Sequence, residues 1–202
     1  MLRHLVYPFL PYRSLFLPVL LVSAIAVPCW LAFRMYRART TGHRPSLHRE
    51  VLLLVFVVYL SGLAAVTLGP SRPSREVIET MVGIDIRPNL ASLTCSDATL
   101  PTGSRARAFC VRNARGNVVL FIPLGILLPL VWRRLRFWRA LQIAIALSVS
   151  IELLQLLSRA WGSYRTADVN DVILNVAGAS LGLGLVSLVR SLAGGRSAAA
   201  RA

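Results

Sequence analysis

The sequence predicts an all-α fold, a polytopic transmembrane helical bundle of about five spans. Three observations predict it. Hydrophobic residues make up 55% of the 202 positions and mean hydropathy is +0.63, more apolar than an ordinary water-soluble domain. The apolar residues gather into five blocks near the length that crosses a bilayer. Between them stand the cations, 23 Lys+Arg against 8 Asp+Glu for a net charge of +15, and every basic residue is arginine. A basic chain also suits phosphate or nucleic-acid binding. Here the arginines flank apolar blocks, where they orient spans, so no nucleic-acid partner is expected.

Ser14–Phe33 is the first block and contains Pro18 and Pro28; Val51–Gly69 is the second. Both exceed the ~17 residues that a span needs. Asn117–Trp132 is the third and shortest, and it spans only by extending into its flanks. Ala140–Leu157 and Val172–Val189 are the fourth and fifth, and both carry polar residues that should face other helices. Met1–Tyr12 is also apolar and either lies in the interface or extends the first helix. A cleaved signal peptide fits less well, because Ser14–Phe33 is long and runs straight into a basic segment.

These blocks divide the chain into an N-terminal span with a basic cytoplasmic loop (1–50), a transmembrane domain (51–190) and a disordered tail (191–202). Arg34, Arg37, Arg39, Arg44 and Arg49 fill the first connection, and Arg133, Arg134, Arg136 and Arg139 the third. Arg190, Arg196 and Arg201 follow the fifth block. The positive-inside rule makes that side cytoplasmic, with the N-terminus outside, the C-terminus inside and loop 70–116 extracytoplasmic. That long loop holds seven arginines, but long loops weigh little in the rule. It also holds Cys95 and Cys110, which form either a bridge in an oxidising compartment or a free pair. Three scattered histidines (His4, His43, His48) support no zinc site, and neither a metal nor a cofactor is expected.

Orientation and helical spacing place Asn117, Glu152, Gln155, Arg165, Asp168, Asp171 and Asn175 together at the outer membrane interface. Glu152 and Gln155 lie near the outer end of block four, with Ser148 one turn deeper. Asp168, Asp171 and Asn175 form an i, i+3, i+7 series, which Gly178 and Gly182 continue. Plainer roles compete with ligand binding. The two glycines read as a packing seam, with Pro123 and Gly125 shaping the third helix. Asp168 reads as an N-cap, Asp171 as a first-turn charge, and Asn175 and Gln155 as interhelical hydrogen-bond partners. Arg165 reads as a neutralising partner for Asp168 or Glu152. Glu152 is the hardest to explain by packing, since a carboxylate in an apolar helix must be protonated, paired or wet.

Three stretches carry a resemblance. They are Asn117-Val-Val-Leu-Phe-Ile-Pro-Leu-Gly125, then Ile151-Glu-Leu-Leu-Gln155, then Arg165 through Asp168, Asp171, Asn175-Val-Ala-Gly178 and Gly182. Together with Tyr59 and Thr67-Leu-Gly-Pro70, they resemble the VanZ-like family of bacterial membrane proteins over roughly Val51–Val189. Where such proteins tend to carry Asn-Leu-x-Pro-Phe, this chain reads Arg87-Pro-Asn89-Leu-Ala-Ser-Leu. The resemblance implies a multi-pass protein of the cell membrane. Through the founding member's link to teicoplanin resistance, it implies action at the outer face of the cell envelope.

Three functions are compatible with these residues. The cluster binds or excludes an amphiphile, either a glycopeptide or lipopeptide antibiotic or a lipid headgroup, and so aids antibiotic or envelope-stress tolerance. Arg165 would then meet phosphate or carboxylate, and the amides would add neutral hydrogen bonds. Alternatively the protein is an intramembrane enzyme acting on a lipid or polyprenyl-linked substrate, with Glu152 as general base. No histidine joins the cluster and there is no Gly-x-Ser-x-Gly elbow, so the catalytic class stays open. Thirdly, the cluster is polar glue within an assembly partner.

Overall fold

The computed structural model describes residues 13–42, 46–68, 84–96, 101–158 and 167–199. The Met1–Tyr12 segment, Arg165 and the last three residues lie outside them. Among the described residues the fold is all-α apart from one two-residue parallel strand pair. Among the described residues, five helices contain segments long and apolar enough to cross a membrane: Val19–Thr41, Leu47–Leu68, Arg105–Val131, Phe137–Ser158 and Val169–Ala193. The chain divides into two compact units, Met1–Pro70 and Ser71–Ala202.

The first unit is a hairpin of α1 (Arg13–Thr41) and α2 (Leu47–Leu68). The basic segment expected as a loop after Phe33 is instead helix as far as Thr41. Arginine is a good helix former, and polarity alone does not end a helix. Thr41 Oγ1 donates to the Arg37 carbonyl at 2.8 Å, and Gly42, at φ +62°, supplies the left-handed turn that stops the helix. Arg34 crosses to Glu50 with a two-pronged ion pair, Nε to Oε2 at 2.8 Å. Within α2, Ser61 and Thr67 satisfy their hydroxyls on the carbonyls of Val57 and Leu63, so neither needs a partner helix.

The second unit is built on three long helices, α4 (Arg105–Val131), α5 (Phe137–Ser158) and α6 (Val169–Ala199). The third span was expected to be short. It has 27 residues, and the connection before it ends at Ser104, whose side chain caps the helix by accepting from Arg107 N at 3.1 Å. The arginines at 105, 107, 112 and 115 lie on helical turns that composition alone reads as loop. The tail expected to be disordered from residue 191 continues as helix to Ala199, in keeping with its alanine content.

Helices α4 and α6 run parallel. Their partners keep a near-constant separation, from 58 residues at Asn113–Asp171 to 61 at Pro129–Arg190. α5 is antiparallel to both, since its contacts with the α6 segment shorten from 27 residues at Ser148–Asn175 to 16 at Glu152–Asp168. Glycines set how closely α4 and α6 approach. A methyl group on Gly125, Gly178 or Gly182 would sit 2.1, 2.1 or 2.2 Å from a backbone oxygen of the facing helix. Backbones that close gain dispersion and Cα–H···O contacts, which drive helix association where lipid surrounds the bundle. Phe121, Leu124, Leu128, Ala140, Ala144 and Ala179 complete a dry core, while Leu153, Leu157, Leu181, Leu185 and Leu188 point outward.

Two short elements precede the three helices in sequence. β1 (Ile84–Asp85) pairs in parallel with β2 (Ala167–Asp168), and α3 (Leu90–Thr94) follows β1. Asn89 caps α3 by accepting from Ala91 N at 2.9 Å, and Cys95 closes it in a left-handed conformation. Cys95 is disulfide-bonded to Cys110 on α4, with the two Cα atoms 5.9 Å apart. Residues 84–96 are thereby tied at both ends.

Candidate functional site

Helix α5 presents one buried stripe whose character changes along its length. Ala140 and Ala144 occupy the first turns, then Ser148, Glu152 and Gln155 at i, i+4 and i+7. The small residues admit close packing at one end of the bundle, and the polar ones meet the start of α6 at the other. There the chain leaves β2 at Asp168, whose Oδ1 accepts from Asn170 N at 2.8 Å. Asp168 therefore acts as the N-cap of α6, with Asp171 in the favourable first turn.

Glu152 is only 7% exposed. Its Oε2 accepts from the backbone N–H of Asp168 at 3.1 Å. This contact supplies an acceptor for a donor at the helix entry and ties α5 to the cap that opens α6. One turn deeper on α5, Ser148 Oγ accepts from Asn175 Nδ2 at 2.9 Å, with both residues buried. From α4, Asn113 Nδ2 reaches Asp171 Oδ1 at 3.4 Å. Asn117 lies one turn further along the same face of α4, above Phe121, with its Nδ2 buried and without a hydrogen-bond partner among the described residues. Gln155 is buried beside Glu152, and its carbonyl accepts from Ser158 Oγ at 2.6 Å.

The structure thus joins Glu152 to Asp168, Asp171 to α4 and Asn175 to α5, and it seats Gln155 on the same stripe. Asn117 shares the α4 face that meets α6, without a hydrogen bond to the others among the described residues. Arg165 lies outside the described residues. Gly125, Gly178 and Gly182 form the α4–α6 seam rather than part of the cluster, and Pro123 stays within continuous helix. No group of three or more His, Cys, Asp or Glu able to hold a metal occurs among the described residues.

Asn170 escaped the sequence reading. It is 3% exposed, and its Oδ1 accepts from Asn89 N at 3.0 Å, which links the strapped loop to the start of α6. It sits off the i, i+3, i+7 series of Asp168, Asp171 and Asn175. Its role comes from Asn89, 81 residues away, so no local pattern marks it.

The far end of the three-helix unit has opposite chemistry. Trp132, Phe137 and Trp138 are exposed among Arg133, Arg134, Arg136 and Arg139, and the last two aromatic rings meet edge-on at 5.5 Å. Arg190 donates to the Pro129 carbonyl at 2.7 Å, satisfying an orphan acceptor at the C-terminus of α4.

No curated protein and no solved structure matches the chain. The VanZ/LLP1 family model matches residues 56–190, a range that takes in Asn117, Glu152, Gln155, Asp168, Asp171, Asn175 and the glycine seam. That match covers most of the 202 residues and runs from α2 through α6. The chain belongs to the VanZ/LLP1 family.

Proposed function

We propose that this protein binds the headgroup of an amphiphile at the outer face of the cell membrane and so contributes to antibiotic or envelope-stress tolerance. One observation carries the reading. A buried carboxylate, Glu152, sits among amides and helix-entry donors at one end of a bundle whose outward faces are apolar. Ionisable groups kept at such depth mark sites of function more often than sites of packing. Leu153, Leu154 and Leu157 flank Glu152 on the exposed side of α5 and offer the tail an apolar surface.

The opposite end of the same unit supports the orientation that the positive-inside rule suggests. The exposed arginines and aromatic residues of the α4–α5 turn suit the cytoplasmic interface, which leaves the polar cluster outside and the C-terminus inside. An antibiotic of the teicoplanin type, whose acyl chain anchors it in the membrane, would meet the cluster at headgroup depth. Arg165 is the residue assigned to the anionic part of the ligand, through its two-pronged guanidinium.

The test is expression in a teicoplanin-sensitive bacterium, with membrane abundance measured alongside tolerance. Glu152→Gln and Arg165→Ala should abolish any tolerance the wild type confers while remaining at normal abundance. Full tolerance in either variant would sink the proposal. A deacylated drug should show no protection in any strain, since it lacks the membrane anchor.

A further inference from the structure

We infer that the α4–α5 turn is a binding surface for anionic phospholipids, whose phosphates are taken by Arg133, Arg134, Arg136 and Arg139. The inference is independent of the proposed site, which lies at the opposite end of the same helices.

The turn is short and internally bonded. Leu135 N donates to the Trp132 carbonyl at 2.8 Å, and Ala140 N to the Arg136 carbonyl at 3.0 Å. Arg190 ties the last turn of α4 to α6 through the Pro129 carbonyl at 2.7 Å. Ala140 is fully buried, whereas all four arginines are exposed. Their side chains therefore leave a fixed backbone and end outside the protein.

No counter-ion comes from this unit. Among the described residues none of the four arginines forms an ion pair. The sequence holds no Asp or Glu from Ala98 to Ile151, and none after Asp171. Glu152, Asp168 and Asp171 gather at the other end of the three helices. Like charges crowded on one turn repel one another, and an anion from outside relieves them.

Aromatic residues fix the depth at which that anion stands. Trp132 follows the last residue of α4, and Phe137 and Trp138 open α5, so the three interleave with the arginines. Trp132 is 45% exposed and Trp138 71%, and tryptophans so open settle at the headgroup level of a bilayer. The two apolar helices end at the same place. Guanidiniums beside these rings stand at phosphate depth, where each can take two phosphate oxygens at once. A nucleic acid or an acidic protein would have to meet the arginines with the rings left in water. Net charge then chooses among lipids. A phosphatidylcholine phosphate brings its own quaternary ammonium, which the neighbouring arginines repel, whereas phosphatidylglycerol brings no cation.

The experiment uses the full chain carrying Trp30→Phe and Trp161→Phe, so that only Trp132 and Trp138 emit. It is reconstituted in phosphatidylcholine vesicles with a minor share of either brominated phosphatidylglycerol or brominated phosphatidylcholine, and quenching reports which lipid stands beside the turn. Phosphatidylglycerol should associate about tenfold more strongly, given roughly fivefold per basic residue near the surface less screening. High salt should weaken that preference. Replacing all four arginines with glutamine should bring it to within about twofold. Both leaflets carry the same lipids, so a change in insertion direction does not alter the reading. Should the fourfold variant fail to fold, Arg133→Gln/Arg134→Gln and Arg136→Gln/Arg139→Gln should each lower the preference. Arg105→Gln/Arg112→Gln removes charge from the other end of α4 and should leave it unchanged.

Equal quenching by the two lipids in the parent chain overturns the inference, and the arginines then serve topology alone or meet an acidic protein or nucleic acid. A full preference in the fourfold variant, or in both paired variants, also overturns it. So does an equal loss in Arg105→Gln/Arg112→Gln, since the preference would then follow the charge of the whole chain.

Discussion

Gly178→Ala puts a methyl group where the backbone of α4 already lies. The added carbon would stand 2.1 Å from the Val118 carbonyl oxygen, 2.9 Å from its carbon and 3.0 Å from its Cα. Ordinary contact needs ~3.4 Å or more, so α4 and α6 must part by about 1 Å along that line. All three nearest atoms are backbone, so no side chain can rotate away to absorb the clash. A gap of that size forfeits roughly a quarter to a half of each dispersion contact across the seam, and overpacking of this kind costs about 1–3 kcal/mol. The perturbation spreads, because Gly125 and Gly182 sit on the same seam with the same close approach. Gly184 is the internal control, since a methyl group there meets nothing within 4 Å. Gly184→Ala should be neutral or raise stability by up to about 1 kcal/mol through helix propensity alone. The assay is thermal unfolding of both variants in one detergent, followed by tryptophan fluorescence. Gly178→Ala should melt several degrees below wild type and Gly184→Ala at or above it. If Gly178→Ala melts with Gly184→Ala, the close-packed seam is refuted.

Two further outcomes follow from other contacts. Replacing Cys95 and Cys110 with serine should cost about 3 kcal/mol, the loop-closure value for a 15-residue separation, and should expose residues 84–96 to protease; unchanged melting and cleavage would show that the strap is held by the strand pair and Asn170 alone. Glu152→Gln keeps an acceptor for the Asp168 N–H and should fold with near wild-type stability, whereas Glu152→Leu removes that acceptor and should lose about 1–3 kcal/mol in melting experiments; equal losses in the two would contradict the hydrogen bond's role.

The parts of this fold that sequence reveals are local. Five apolar blocks read as five helices, because each is a continuous apolar run near the length that crosses a bilayer. The polar stripe of α5 and the Asp168–Asn175 series were readable from their three- and four-residue spacing. Composition misjudged the helix boundaries. The charged turns Arg105–Arg115 and Arg34–Thr41 looked like loops, although arginine-rich helix is stable and simply projects past the apolar region. Contacts between distant segments were invisible. The Ile84–Ala167 pairing rests on two residues per strand, too short for any alternation to register. Asn170 was missed for a related reason. Its importance comes from Asn89, which lies 81 residues away, and no spacing within α6 announces it.

The strap also fixes when the site can exist. β1 and Asn89 leave the ribosome roughly 80 residues before the strand and asparagine that receive them. At ~5–20 residues per second that interval lasts about 4–16 s, and two of the three long helices must be threaded through the membrane within it. Until then the polar end of α5 has no capped helix entry to face, and the Asn89 amide is bonded only to water. The polar cluster is therefore completed only once β2 and the start of α6 have been made. A chain truncated between Gln155 and Ala167 would carry Glu152 without the Asp168 N–H that meets it.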